Sequence, residues 1–130
     1  MISNRILQTT VEGLKAISRV DLCIVDADKN VAAKTFDNVS ECLADAISFI
    51  DSPAESQAVN GFQFFKVEDE GNLEYIIMAR GTSDDVYMVG KLAAFQIQNL
   101  LVAYKERFDK DNFIKNLLLD NLLRVDMYTR

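Results

Sequence analysis

Three polar side chains, Gln63, Arg80 and Tyr87, stand in an otherwise apolar, β-rich part of the chain. A guanidinium is the side chain best shaped to grip a carboxylate, and an amide and a phenol beside it would orient what it holds. That is the chemistry of a site for a small anionic or polar metabolite. The competing use of Arg80 is an ion pair with Asp85, which hairpin geometry would place opposite it. Catalysis has no comparable support. The chain contains 0 His, which removes Ser-His-Asp and Cys-His mechanisms and every His-ligated metal. Asp26 and Asp28 flank a turn, where Asp is favoured for its local backbone hydrogen bonds, and no run of oxygen donors follows at calcium-loop spacing. Gly81 and Gly90 do not make a phosphate-binding loop, because G-x-G-x-x-G is absent. Glu68-Asp69-Glu70 reads as a solvated hairpin tip. The residues thus point to binding, with no enzyme activity, no cofactor and no metal.

Charge and composition narrow the partners. With 20 Asp+Glu against 14 Lys+Arg, the net charge of −6 argues against this chain gripping a nucleic-acid backbone by itself. Lys105, Arg107, Lys110 and Lys115 alternate with acids and read as an exposed helix face. Cys23 and Cys42 sit in apolar surroundings with no C-x-x-C spacing, so buried thiols in a reducing compartment are expected. The N-terminus lacks a signal-peptide core, and no apolar run reaches the roughly 18 residues of a membrane span, so a cytoplasmic location without a membrane is expected. A length of 130 residues at 49% hydrophobic suits one domain spanning residues 1–130.

The elements that must position these side chains follow from periodicity. Ile2, Ile6, Leu7, Thr10, Val11, Leu14 and Ile17 recur at helical steps. Asp21 to Val25 and Val31 to Ala33, separated by turn formers, predict a hairpin. Asn38 and Glu41 have capping-box spacing, which starts a second helix ending before Pro53. Three strands are then expected, Gly61 to Val67, Asn72 to Ala79 and Asp85 to Val89, joined by short Gly-containing turns. From about residue 91 to 130 the pattern is a long helix, with a kink or break at Asp109-Lys110-Asp111-Asn112. The predicted fold is α+β. It resembles the PAS and GAF architecture, a five-stranded antiparallel sheet with an N-terminal helix, one cover helix and a long C-terminal helix.

Strand parity sorts the side chains. With Gly71 in the hairpin turn, Lys66 pairs near Tyr75, Phe64 near Ile77 and Phe62 near Ala79, and Val86 and Met88 join that face. It is the seat for the terminal helices. The other face carries Gln63, Phe65, Val67, Ile76, Met78, Arg80, Asp85 and Tyr87, which suits a ligand cavity covered by the Asn38–Ile50 helix.

The stretch from Tyr87 to Leu123, including Ala103-Tyr104-Lys105-Glu106-Arg107-Phe108 and Leu117-Leu118-Leu119-Asp120-Asn121-Leu122-Leu123, is the most distinctive part of the chain. Together with Gly61-Phe62-Gln63-Phe64-Phe65-Lys66-Val67 it resembles the N-terminal sensory region of Firmicute regulators related to the carbohydrate diacid and purine catabolism regulators. The resemblance implies a regulatory input domain, with DNA bound only through a C-terminal helix-turn-helix domain absent from this chain. Motifs of the sugar-diacid recognition domain are missing, so the diacid itself is not implied. In the last helix Ile114, Leu118, Leu122 and Val125 form one apolar stripe and Leu119, Leu123 and Met127 a second. A helix packed on its own domain needs one. The second is a homodimer seam or a docking face for a downstream domain; the homodimer, with Leu118, Leu122 and Val125 at the interface, is the preferred expectation. A structural dimerisation module with no ligand is the alternative function.

Overall fold

A computed structural model describes the backbone of residues 2–59, 61–81 and 84–128, and side chains as far as residue 107 with Glu41 excepted. The order is α1 (Asn4–Ser18), β1 (Asp21–Asp26), β2 (Val31–Lys34), α2 (Ser40–Ile50), β3 (Ser56–Val59), β4 (Phe62–Asp69), β5 (Asn72–Arg80) and α3 (Asp85–Tyr128). The five strands form one antiparallel sheet in the order β2-β1-β5-β4-β3. The α+β class, five antiparallel strands and the three expected helices are all present.

Two elements differ from the sequence expectation. Asp85–Val89 is the first turn and a half of α3, and the fifth strand is instead Ser56–Val59. Val-Tyr-Met-Val has strong β-propensity, but Val86, Val89, Ala93, Ile97 and Leu101 are all buried, and their helical spacing runs unbroken from Val86. Tertiary burial overrides local preference here. The four residues of β3 are mostly exposed and carry little apolar signal. The expected break at Asp109–Asn112 does not occur, since the backbone stays helical to Tyr128. Helix α2 begins at Ser40 rather than near Asn38, and its N-cap residue Val39 makes no side-chain cap. Val39 is buried in the core instead.

The sheet separates two apolar clusters. One joins Leu7 and Val11 of α1 to Tyr75, Ile77 and Ala79 of β5 and the buried stripe of α3. The other puts Cys42, Ala46 and Phe49 against Cys23, Phe64, Ile76 and Met78. The hairpin turn places Glu70 at φ 52° and Gly71 at φ 82°, a two-residue turn whose twist matches the strands. Next to the turn, Asp69 pairs with Asn72 and Glu68 with Leu73, as expected, but Val67 then pairs with Tyr75. Glu74 is therefore an extra residue, a bulge that slips the register by one and inverts the faces of β4. Phe62, Phe64 and Lys66 face α2, while Gln63, Phe65 and Val67 face the terminal helices.

Helix α3 lies close on β4 because of Gly90. A Cβ there would fall within 3.0 Å of three ring carbons of the buried Phe65. Farther along, Lys105 bonds Asp69 at 3.3 Å and Glu70 at 2.9 Å, which ties α3 to the β4–β5 turn as well. Glycine inside a helix costs about 1 kcal/mol relative to alanine, so Gly90→Ala would stabilise an unpacked helix. Here overpacking costs about 1–3 kcal/mol and outweighs that gain. Urea denaturation of Gly90→Ala is expected to show a net loss of stability; a gain would mean that α3 does not press on Phe65.

Candidate functional site

The structure does not bring Gln63, Arg80 and Tyr87 together. Gln63 pairs with Ala79 and shares its face of the sheet, on the side of the terminal helices. Tyr87 is on α3, half exposed, with its ring 5.5 Å from that of Phe65. Arg80 keeps the expected α2 face, but its partner is Asp21 on the adjacent strand, not Asp85. The bulge at Glu74 moved Gln63, and the helical state of Asp85–Val89 moved Tyr87 and Asp85. The space expected under α2 is occupied by side chains. Phe36, Phe49, Phe62 and Phe64 stack through it, with centroid separations of 5.9 to 6.2 Å. Lys66 lies over the Phe49 ring, and its ammonium donates to the Ser52 carbonyl just past α2.

A polar cluster is built instead around Asp21. Lys15 reaches Oδ1 at 2.6 Å and Arg80 reaches Oδ2 at 2.8 Å. The Thr35 hydroxyl donates to Oδ1 at 3.0 Å and itself accepts from the Leu22 amide at 2.9 Å. This joins the end of α1, the start of β1, the end of β5 and the chain just after β2. Arg80 also stacks on Phe36, its guanidinium carbon 4.2 Å from the ring centroid. Burial pushes the Asp21 carboxyl up, but the bonds from Lys15, Arg80 and Thr35 outweigh it and hold the pKa below its ordinary value.

Beside this cluster a groove of about 520 Å³ opens between α1 and the β2 end. Its lining includes Lys15, Arg19, Lys34 and Thr35, the carboxylates Glu12 and Asp37, and the apolar Phe36 and Ala16. Arg19 follows α1 in a left-handed conformation, φ 61°, and its amide closes the helix on the Lys15 carbonyl at 2.7 Å. Glycine usually fills that position, and an arginine there costs on the order of 1 kcal/mol. The far wall is held by Gln8, whose side-chain amide donates to the Lys34 carbonyl at 2.8 Å and accepts from the Lys34 amide at 3.0 Å. Lys15 is held by Asp21, so Arg19 and Lys34 are the lining cations that cluster does not engage, beside Phe36 and Ala16 and with Glu12 and Asp37 in the same lining. Lys15, Arg19, Lys34 and Thr35 were not among the sequence candidates. The four-residue step from Lys15 to Arg19 was the available signal, because it places both at the C-terminal end of one helix face. Lys34 and Thr35 carried none.

Leu118, Leu122 and Val125 fall in the helical part of the backbone, but their side chains lie outside the described residues. No protein-family model matches the chain, and no curated protein matches it.

The lowered Asp21 pKa has a definite sign. Its contribution to stability is complete above the unfolded carboxyl's pKa, about 4, and is lost as pH falls through the lower folded value. Lys15 and Arg80 are more than a third exposed, so screening reduces the benefit to about 1 kcal/mol. Asp21→Asn should lower the melting temperature at pH 7 and lose its difference from wild type near pH 2. An equal deficit at both pH values would assign the loss to packing rather than to charge.

Proposed function

We propose that this chain is a ligand-sensing and dimerisation input domain of a transcription regulator, a binder rather than a catalyst, with the α1–β2 groove as its sensing site. The observation that carries this reading is the groove itself, about 520 Å³ and lined by Arg19 and Lys34 beside the ring of Phe36. Its ligand class is a small anionic or polar metabolite, a carboxylate or sugar acid by preference, because the Arg19 guanidinium and the Lys34 ammonium together match an oxyanion. The strand order 2-1-5-4-3 with α2 over one face is compatible with a PAS- or GAF-like sensor fold, and the resemblance of Tyr87–Leu123 to regulator sensory regions supports the same role.

Transmission has a physical route. The groove is walled by α1, and Leu7 and Val11 of α1 pack in the same cluster as Ile97 and Leu101 of α3. A ligand that bridges Arg19 to Lys34 favours one seating of α1 on the sheet. Any such difference in affinity biases α3, the helix that leads toward a downstream domain. Leu118, Leu122 and Val125 are proposed to join two copies along that helix.

A thermal-shift screen of carboxylates, sugar acids and phosphate tests the ligand. Binding at a hundredfold excess over Kd stabilises the native state by about 2.7 kcal/mol, enough to raise the melting temperature by several degrees. Arg19→Ala and Lys34→Ala are expected to remove the shift while leaving the unliganded protein stable, because both are exposed. A hit that both variants bind as well as wild type would place the site elsewhere. The second reading, a structural module with no ligand, is favoured by the phenylalanines that fill the α2 face. It takes over if no acid shifts the melting point.

A further inference from the structure

Helix α3 has two apolar faces within the described side chains, and the sheet covers one. Val86, Val89, Ala93, Ile97 and Leu101 are packed on it. Met88, Leu92, Phe95 and Val102 point the other way and are 55%, 53%, 64% and 45% exposed. Together with Asn99 these positions follow one another at steps of four, three, four and three residues. That spacing is the seam of a coiled coil, in which alternate positions meet the same positions of a neighbouring helix. A buried stripe needs only helical periodicity. An uncovered one with this spacing is fitted to another helix.

We propose that α3 pairs with the α3 of a second copy of this chain in parallel, through Met88, Leu92, Phe95, Asn99 and Val102. This rests on the dimerisation role proposed above but not on its residues, because by helical periodicity Leu118, Leu122 and Val125 fall on another face of α3. Two observations select a second copy, side by side and pointing the same way. First, Asn99 interrupts the apolar seam once; in a parallel pair it meets its own equivalent across the two-fold axis, where two amides satisfy each other and fix the register. Second, the residues flanking the seam, Lys91, Gln96, Gln98 and Ala103, place no like charges opposite one another in that arrangement.

The stretch Asp85–Arg107 is also long and apolar enough, by length and composition, to cross a membrane. Its buried stripe belongs to the core of the folded domain, however, and an insertion would have to strip the sheet.

The test uses the whole 130-residue chain. Light scattering should give twice the chain mass for wild type, and mostly monomer for the double variant Leu92→Glu/Phe95→Glu with unchanged circular dichroism, since both side chains are exposed. Asn99→Cys should form a covalent dimer on oxidation. Wild type should not, because Cys23 and Cys42 are buried and burial pushes the Cys23 thiol up to about 12. A dimer that survives Leu92→Glu/Phe95→Glu overturns this seam and leaves the dimerisation role intact. A dimer lost in that variant but never cross-linked through Asn99→Cys overturns the parallel register. A wild-type monomer overturns both the seam and the dimerisation role.

Discussion

The close seating of α3 on β4 is the constraint from which the rest of the architecture follows. Gly90 has no side chain to hold the helix off Phe65, so backbone rests against ring and the helix axis is fixed in height over the sheet. From there the buried stripe can only be Val86, Val89, Ala93, Ile97 and Leu101, and the opposite face can only be the one that carries Phe95. The ion pairs of Lys105 with the β4–β5 turn set the direction in which the helix leaves the domain. The hydrogen bonds that the Lys105 ammonium donates to Glu70 and Asp69 raise its pKa, so this tie stays charged across the physiological range. One residue without a Cβ thus determines both what the domain buries and what it offers to a neighbour.

Electrostatics plays the complementary role at the other end of the sheet. Asp21 collects Lys15, Arg80 and Thr35 and so holds four separate pieces of chain in register without a large apolar contact. A charge cluster of this kind contributes modestly to stability, because its cations are partly solvated. Its geometric effect is larger. It fixes the end of α1 against β2 and thereby the width of the groove.

How far the sequence could be read depended on the range of the forces involved. The α+β class, two of the three expected hairpins, the long final helix and the parity of β5 were legible, because turn residues and periodicity act locally. Tyr75, Ile77 and Ala79 face the terminal helices as their alternation implies, and Arg80 lies on the opposite face. The register of β4 was not legible. The bulge at Glu74 has no composition of its own, yet one extra residue exchanges every side chain beyond it and carries Gln63 away from Arg80. Asp85–Val89 misled for a different reason. Its residues suit a strand, and only the apolar positions beyond Val89, packed on a sheet assembled from distant segments, make it a helix. The groove was invisible because Lys34 and Thr35 meet Lys15 and Arg19 through tertiary packing alone.

The pairing of Gln8 with Lys34 has a consequence for the way this protein can associate. A side-chain amide that both donates to and accepts from a strand's backbone imitates one residue of a neighbouring strand. With α1 alongside, the β2 rim of the sheet is closed to any incoming chain that would extend it by hydrogen bonding. The opposite rim, β3, is four residues long and gives such a chain little to register against. Growth by sheet addition, the usual route from a β-rich domain to disordered aggregates, is thereby blunted at both ends.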